Sequence, residues 1–300
     1  MGASTESVRA TQAAAAIRHH YDVGNEFYRL WLDSSLTYSC ALRRGADDTL
    51  ETAQQRKLRF HLEAIRADDA TRVLDIGCGW GSILALLSGT HGVQQSVGLT
   101  LSDEQAAFVR LQQYPGVEVL SEDWKHYEPD GRFDGIISIG AFEHFATPDE
   151  TSTEKIRLYR EFFSRCRDWL TDGGVLSLQT IAYANMSSDQ ASRFIQQSVF
   201  PNADLPTLAE ITAAADGLFE VQSVGNGRLD YAWTCEQWAQ RLRQRRDEAV
   251  GLVGPEVVDR YERYLKLSAL GFRMGKICLL RLVLHPYSGR YFNAGGARAR

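Results

Sequence analysis

Residues 72–81 read RVLDIGCGWG, a short apolar stretch that runs directly into a glycine-rich turn. Short apolar runs of this kind alternate along the chain with helical patterns, which predicts a parallel sheet with helices on both faces. The predicted strands lie at 72–76, 96–100, 117–120, 133–139, 175–181, 218–224 and 277–284. Ligands of open α/β sheets bind beyond the carboxyl ends of the strands, so we expect the binding site at the glycine turn.

The glycine turn has the spacing G-x-G-x-G, and Asp75 ends the strand before it. Gly77 and Gly79 lack a Cβ and tolerate positive φ, so the backbone there can approach a ligand closely. A dinucleotide site would need G-x-G-x-x-G, which seats a pyrophosphate on the helix N-terminus. The observed spacing favours a charged amino acid joined to a nucleoside, with Asp75 accepting from its ammonium group. S-adenosylmethionine (SAM) is such a ligand, and the turn predicts a methyltransferase.

Polar residues also follow the next two predicted strands. The second strand ends at Thr100, with Leu101 next and Gln105 one helical turn later. An acid usually binds the ribose hydroxyls at this place, and a hydroxyl and an amide can do so without a charge. Asp123 and Trp124 follow the third strand, where an adenine would be sandwiched, although Trp124 fits the core equally well.

Composition excludes several classes of protein. The chain has 300 residues, a formal net charge of −5 and 44% hydrophobic residues. Neither a nucleic-acid partner nor strong attraction to an anionic membrane fits this charge, and the apolar runs are too short for stable membrane insertion. The five cysteines contain no CxxC pair. They predict free thiols in a reducing compartment, the cytoplasm, with no metal site.

We expect four successive regions. An N-terminal helical cap segment covers 1–66, the SAM-binding core 67–182, an inserted cap over the site 183–216, and the C-terminal part of the core, with helices, 217–300. An Ala-rich helix begins the first region. This helix packs either on its own domain or on a second copy, which would make the protein a homo-oligomer.

Several motifs together resemble one family, the cyclopropane fatty-acid and mycolic-acid cyclopropane synthases. The resemblance covers roughly residues 17–285. It rests on HYDVGNEFYRLWLDSSLTYSC (20–40), LDIGCGWG (74–81), VGLTLSDEQ (97–105), FDGIISIGAFEHF (133–145) and FPNADLP (200–206). It implies the class I SAM-dependent methyltransferase fold, a Rossmann-like α/β fold with a seven-stranded, mostly parallel sheet, here with an α-helical cap.

The resemblance also implies the site. The predicted SAM-binding residues are Tyr38, Ser39, Asp75, Gly77, Gly79, Thr100, Leu101, Gln105, Asp123, Trp124 and Ile139. The implied reaction methylates an unactivated carbon–carbon double bond and produces a carbocation. A bicarbonate ion then removes a proton from the added methyl group, which closes a cyclopropane ring. The positions matching the residues that hold this ion are Cys40, Glu143, Gln179 and Tyr231, and Tyr21 matches the active-site tyrosine of the family.

Position 179 departs from the family. SLQTI (177–181) stands where the family usually has LHTI. The Gln179 amide carries no charge, and charge-assisted hydrogen bonds are about twice as strong as neutral ones. Bicarbonate is therefore doubtful as a cofactor, and Asp230, beside Tyr231, adds a negative charge that disfavours it further. Closure of a cyclopropane ring is therefore in doubt, whereas methyl transfer is not.

The resulting hypothesis is a C-methyltransferase. Its substrate would be an apolar alkene, of an isoprenoid or other specialised-metabolite type, with or without a following ring closure. Glu143, just past the fourth strand, can stabilise the cation or accept its proton, and the rings of Tyr21, Phe142 and Tyr231 can shield it. Phe142 is equally a candidate core residue. The alternative enzyme is a cyclopropane synthase acting on unsaturated lipid acyl chains. A cofactor-binding module without catalysis would need none of Tyr21, Glu143 and Tyr231.

Overall fold

A computed structural model describes residues 23–91, 93–187 and 204–287 of the chain. One seven-stranded sheet runs through them in the order β3-β2-β1-β4-β5-β7-β6. Its strands are β1 (Arg72–Ile76), β2 (Gln95–Thr100), β3 (Val117–Ser121), β4 (Phe133–Ile139), β5 (Leu170–Tyr183), β6 (Phe219–Asn226) and β7 (Ile277–Pro286). β1 to β5 pair in parallel, and β7 lies antiparallel between β5 and β6. The predicted fold, seven-stranded and mostly parallel, is confirmed.

Helices connect the strands and cover the sheet. They are α1 (Asn25–Arg29), α2 (Leu50–Ala64), α3 (Ser82–Leu86), α4 (Asp103–Leu111), α5 (Ser152–Trp169), α6 (Leu208–Ala215), α7 (Arg228–Gln244), α8 (Arg246–Val253) and α9 (Pro255–Arg273). The sequence predicts one helix over 234–248 where the structure has two. Arg245 separates α7 from α8 because its φ of −113° and ψ of 27° lie outside the helical region.

An aromatic cluster joins the N-terminal part of the chain to the C-terminal helices. It consists of the buried rings of Phe27, Tyr28, Trp31, Trp238 and Tyr261, with Tyr38 at its edge. The Tyr28 and Tyr261 hydroxyls are 2.7 Å apart and share a hydrogen bond. This cluster places the segment 36–41 against α2, where the Gln54 amide donates to the Thr37 and Ser39 carbonyl oxygens at 3.2 and 2.8 Å.

Ion pairs bind the described end of the predicted inserted cap to α5. The Lys155 ammonium lies 2.8 Å from a carboxylate oxygen of Asp204 and 3.5 Å from one of Glu210. The Tyr183 hydroxyl donates to the other Asp204 oxygen at 2.8 Å. Residues 188–203 of the cap, and the N-terminal helix with the homo-oligomer predicted from it, lie outside the described residues. The four-region division stays a prediction.

Three further expectations concern the whole chain. All five cysteines are buried and none forms a disulfide, which confirms the predicted free thiols. Over the ranges that the structure covers, we find no helix long and apolar enough to cross a membrane. The same ranges hold no cluster of three or more His, Cys, Asp or Glu side chains suited to a metal ion.

Candidate active site

A cavity of about 510 Å³ lies where β1, β2 and β4 end, at the carboxyl edge of the sheet. All eleven predicted SAM-binding residues line it, from five separate stretches of the chain. They are Tyr38, Ser39, Asp75, Gly77, Gly79, Thr100, Leu101, Gln105, Asp123, Trp124 and Ile139. The parallel strands bring these stretches together because their carboxyl ends meet at one edge.

The glycine turn forms the floor of this cavity, and two of its glycines are needed for different reasons. Gly77 has φ of +83°, and a Cβ there would lie 2.6 Å from the Cβ of Ala141. Gly79 has φ of +55° and open space where a Cβ would stand. The turn is held in place by the Leu99 carbonyl oxygen, which accepts from the amides of residues 77 and 78 at 2.9 Å each. The backbone therefore presents an open, fixed cradle to a ligand.

Thr100 and Gln105 form one polar unit at the end of β2. The Thr100 hydroxyl donates to the Gln105 side-chain oxygen at 2.8 Å and accepts from the Ser102 amide at 3.2 Å. Ser102 caps α4 by accepting from the Gln105 amide at 3.3 Å. The capped helix thus holds a neutral hydroxyl–amide pair where ribose hydroxyls were expected.

Trp124 belongs to the core and also lines the cavity. Its ring is buried and packs against Phe145 and Phe162, with centroids 5.0 and 5.3 Å apart. It also lines the cavity beside Asp123, whose side chain accepts from the Lys125 amide at 3.0 Å. Core packing therefore fixes an aromatic wall of the cavity, and its contact with an adenine stays a prediction.

Lys57 is a cavity residue that the sequence analysis misses. It lies on α2, is 1% exposed, and its ammonium donates to the Ser39 hydroxyl at 2.9 Å. Burial lowers the pKa of Lys57 to about 7. Burial likewise raises the pKa of Asp75 to about 7, and Lys57 opposes that rise. A signal exists in the sequence, since Gln54, Lys57 and His61 put three polar side chains on the buried stripe of α2.

Four of the predicted catalytic residues form a second cluster, next to the cavity residues but not lining the cavity itself. Glu143 is 6% exposed, and one of its carboxylate oxygens accepts from the Ile181 amide at 2.7 Å. The other oxygen is buried and accepts no hydrogen bond of normal geometry among the described residues, although the Thr180 hydroxyl, which donates to the Ile181 carbonyl, is close enough to lower the pKa of this carboxyl group. Burial raises the pKa of Glu143 to about 7. It is thus poised to exchange a proton near neutral pH.

Arg281 joins Gln179 to Cys40 in the second cluster. The guanidinium is buried, and its Nε donates to the Gln179 side-chain oxygen at 2.8 Å. One terminal nitrogen donates to the Ala41 carbonyl at 2.9 Å and to Cys40 Sγ at 3.4 Å, while the other lies 3.5 Å from a carboxylate oxygen of Asp230. The uncharged Gln179 therefore lies beside a buried cation that the sequence analysis misses. Strand β7 supplies the cation, and a lone arginine in the apolar run ICLLRLVL was its signal.

The three aromatic residues predicted to shield the cation have different outcomes. Tyr231 is 8% exposed and stacks on Phe272, with ring centroids 4.5 Å apart. Burial and Tyr264 raise the pKa of Tyr231, and Cys40 and Glu143 add to the rise. Phe142 is fully buried and stacks on Tyr159 at 4.4 Å, which makes it a core residue. Tyr21 lies outside the described residues.

Comparison with known proteins agrees with this geometry. Residues 8–282 match the family described as mycolic acid cyclopropane synthetase. Cyclopropane mycolic acid synthase 2 of Mycobacterium bovis is 33% identical over 283 residues, which are 88% of this chain and 92% of the relative. A probable fatty acid methyltransferase of Pseudomonas putida is 34% identical and matches 92% of this chain and 70% of its own length.

Solved structures give the same result. The cyclopropane synthase MmaA2 of Mycobacterium tuberculosis superposes with a TM-score of 0.81 at 31% identity, covering 91% of this chain and 98% of that one. CmaA1, solved with S-adenosylhomocysteine (SAH) and CTAB, has the same score, identity and coverage. The glycine cradle, the polar unit at β2 and the aromatic wall fit this cofactor. The chain therefore belongs to the mycolic acid cyclopropane synthase family and is a SAM-dependent methyltransferase.

Proposed function

We propose that this methyltransferase alkylates a carbon–carbon double bond of an unsaturated lipid acyl chain. The relatives that the chain resembles over most of its length are named for cyclopropane mycolic acid synthesis or fatty acid methylation. This favours the acyl chain over the isoprenoid-type substrate as the first candidate. Bound SAM supplies a methyl group on a positively charged sulfur, and an alkene is a nucleophile with no proton to lose beforehand.

The observation that carries the proposal is the buried carboxyl group of Glu143, one of whose oxygens accepts no hydrogen bond of normal geometry among the described residues. Residues 141 and 144, on either side of Glu143, both line the SAM cavity. A carboxylate at this place stabilises the cation formed on the substrate and accepts its proton. Tyr231 offers an aromatic wall to the same cluster. The low exposure of both side chains keeps water from the cation.

SAM with a trideuterated methyl group tests the reaction. The purified protein is incubated with lipids carrying unsaturated acyl chains, and the products are analysed by mass spectrometry. We expect deuterium on acyl carbons of the wild type, and none with Glu143→Gln. Titration of that variant with SAH should give the affinity of the wild type. Label on an oxygen or nitrogen atom, with the double bond intact, would contradict the proposal.

A second candidate keeps the methyl group intact and forms no ring, on an acyl chain or on an isoprenoid or other specialised-metabolite alkene. The Gln179–Arg281 hydrogen bond favours it. Arg281 already donates to Gln179, Ala41 and Cys40, so an anion would have to displace these acceptors. The labelled product separates the outcomes, since a cyclopropane retains two deuterium atoms of the methyl group and a methylated alkene retains three.

The dependence of the rate on bicarbonate distinguishes a cyclopropane synthase from the second candidate in a separate measurement. Rates are measured in bicarbonate-free buffer and after bicarbonate is added, with prenylated compounds and unsaturated lipids as parallel substrates. A rate that rises with bicarbonate, together with the two-deuterium product, would identify a cyclopropane synthase. An unchanged rate with the three-deuterium product would identify the second candidate.

A further inference from the structure

Two buried charged side chains, Lys57 and Asp75, line the SAM cavity without pairing with each other. The Lys57 ammonium has three N–H donors, and within the described part of the chain its hydrogen-bond acceptor is the Ser39 hydroxyl. Asp75 is 2% exposed. Neither side chain lies within ion-pair distance of a charged group among the described residues, although Asp33 and, more weakly, Asp75 act electrostatically on Lys57. Buried charges left in this state are costly, and a ligand that partners both would be stabilised.

We propose that Lys57, with the Ser39 hydroxyl it holds, binds the α-carboxylate of the methionine moiety of SAM, opposite Asp75, which binds the α-ammonium group. The amino acid end of SAM carries one charge of each sign on neighbouring atoms. It therefore complements a cavity wall that presents one acid and one base.

The other cations of the cavity lie elsewhere. Lys125 follows Trp124 in the aromatic wall, with its ammonium 5.7 Å from the Trp124 ring centroid. Arg157 belongs to α5 and is exposed. Lys57 is the buried cation, and it bonds to Ser39 beside the turn. This position assigns the carboxylate to Lys57.

The test compares two ligands in two proteins. SAH and decarboxylated SAH share the nucleoside, the thioether and the ammonium group, and differ in the carboxylate alone. Isothermal titration should show that the wild type binds SAH at least about tenfold more tightly than the decarboxylated analogue. Lys57→Met should lose that factor for SAH and bind the analogue as the wild type does.

Lys125→Met is the matched control, because it removes a cavity lysine at the other end and should keep the preference for SAH. Should Lys57→Met be unstable, Lys57→Gln keeps a donor for Ser39 and carries the same test. An unchanged preference in the variant, or equal weakening of both ligands, would overturn the inference. The inference depends on the cofactor and not on the proposed alkene substrate. If the titration gives the contrary result, the proposed reaction is not contradicted. If the alkene assay does, the assignment of Lys57 is not contradicted.

Discussion

Gly77 and Gly79 are alike in backbone angle and different in surroundings, so alanine should act differently at each. Gly77→Ala forces a Cβ against Ala141, and we expect about 1–3 kcal/mol of lost stability from overpacking in addition to the backbone cost. Gly79→Ala meets no protein atom and should lose about 1–2 kcal/mol through its positive φ. Its new methyl group stands at the cavity floor and should weaken SAH binding. Chemical denaturation and SAH titration of both variants check this.

Glu143 should make stability depend on pH. Burial raises its pKa from 4.5 to about 7, so the folded state holds a proton that the unfolded state releases. The free energy of unfolding should therefore fall as the pH rises from 4.5 to 7, by roughly 3 kcal/mol for this group. Glu143→Gln removes the penalty. It should be more stable than the wild type at pH 8 and similar at pH 4.5; the reverse order in denaturant melts would refute this.

Arg281→Met should separate turnover from cofactor binding. The guanidinium holds Gln179, Cys40 and Ala41 together but does not line the cavity. We expect kcat to fall at least about tenfold, as when a positioning interaction is lost, while SAH affinity stays within about twofold of the wild type. Arg273→Met, at an exposed arginine bound to Glu236, is the control and should change neither quantity. Loss of SAH binding in Arg281→Met would contradict this placement.

These residues also mark the limit of sequence reasoning. Each predicted cavity residue follows a strand or belongs to a family motif, so local pattern and resemblance suffice to find it. Lys57 and Arg281 lie inside a helix and a strand whose apolar patterns conceal them. Their partners are distant in sequence, and Arg281 meets an oxygen 240 positions away. Only the assembled sheet shows that these charges are buried together.

At the scale of elements, the contacts between α5 and the chain entering α6 include one buried cation. Lys155 neutralises Asp204 and Glu210, all three with little exposure. Lys155→Met should therefore destabilise the protein by about 3–5 kcal/mol, because two buried carboxylates lose their counter-charge. Adding Asp204→Asn should recover part of this loss. Denaturant unfolding of the single and double variants measures the recovery, and strictly additive losses would contradict the coupling.

The bounds of a strand can be predicted where the local sequence pattern sets them, and cannot where a neighbouring strand does. The start of β1 and the whole of β4 are predicted to the residue, since apolar runs end at glycine or charged positions there. β5 begins at Leu170, ahead of its predicted start, because Leu170 pairs with Phe133 across a register shift between β4 and β5. A bulge of this kind depends on the neighbouring strand, and the pattern within one strand does not reveal it.

At the scale of the whole molecule, the cavity makes stability depend on the cofactor. A ligand that binds only the folded state adds about 2.7 kcal/mol when its concentration is a hundred times the Kd. For a chain of this size we expect SAH at that concentration to raise Tm by about 4 °C. Differential scanning calorimetry checks this. An unchanged Tm with SAH in excess would contradict the assignment of the cavity.

The antiparallel β7 has a consequence for the order in which the protein is made. Strands β1 to β5 are synthesised in sequence, yet the neighbour of β5 in the sheet comes from residues 277–286, after β6 and three helices. Until the ribosome has delivered those residues, the nascent chain carries the fourteen-residue β5 with one side of its hydrogen-bonding ladder open. An open apolar strand edge invites pairing with another chain. Late synthesis of the closing strand thus leaves a period in which this edge of β5 is open to pairing with another chain.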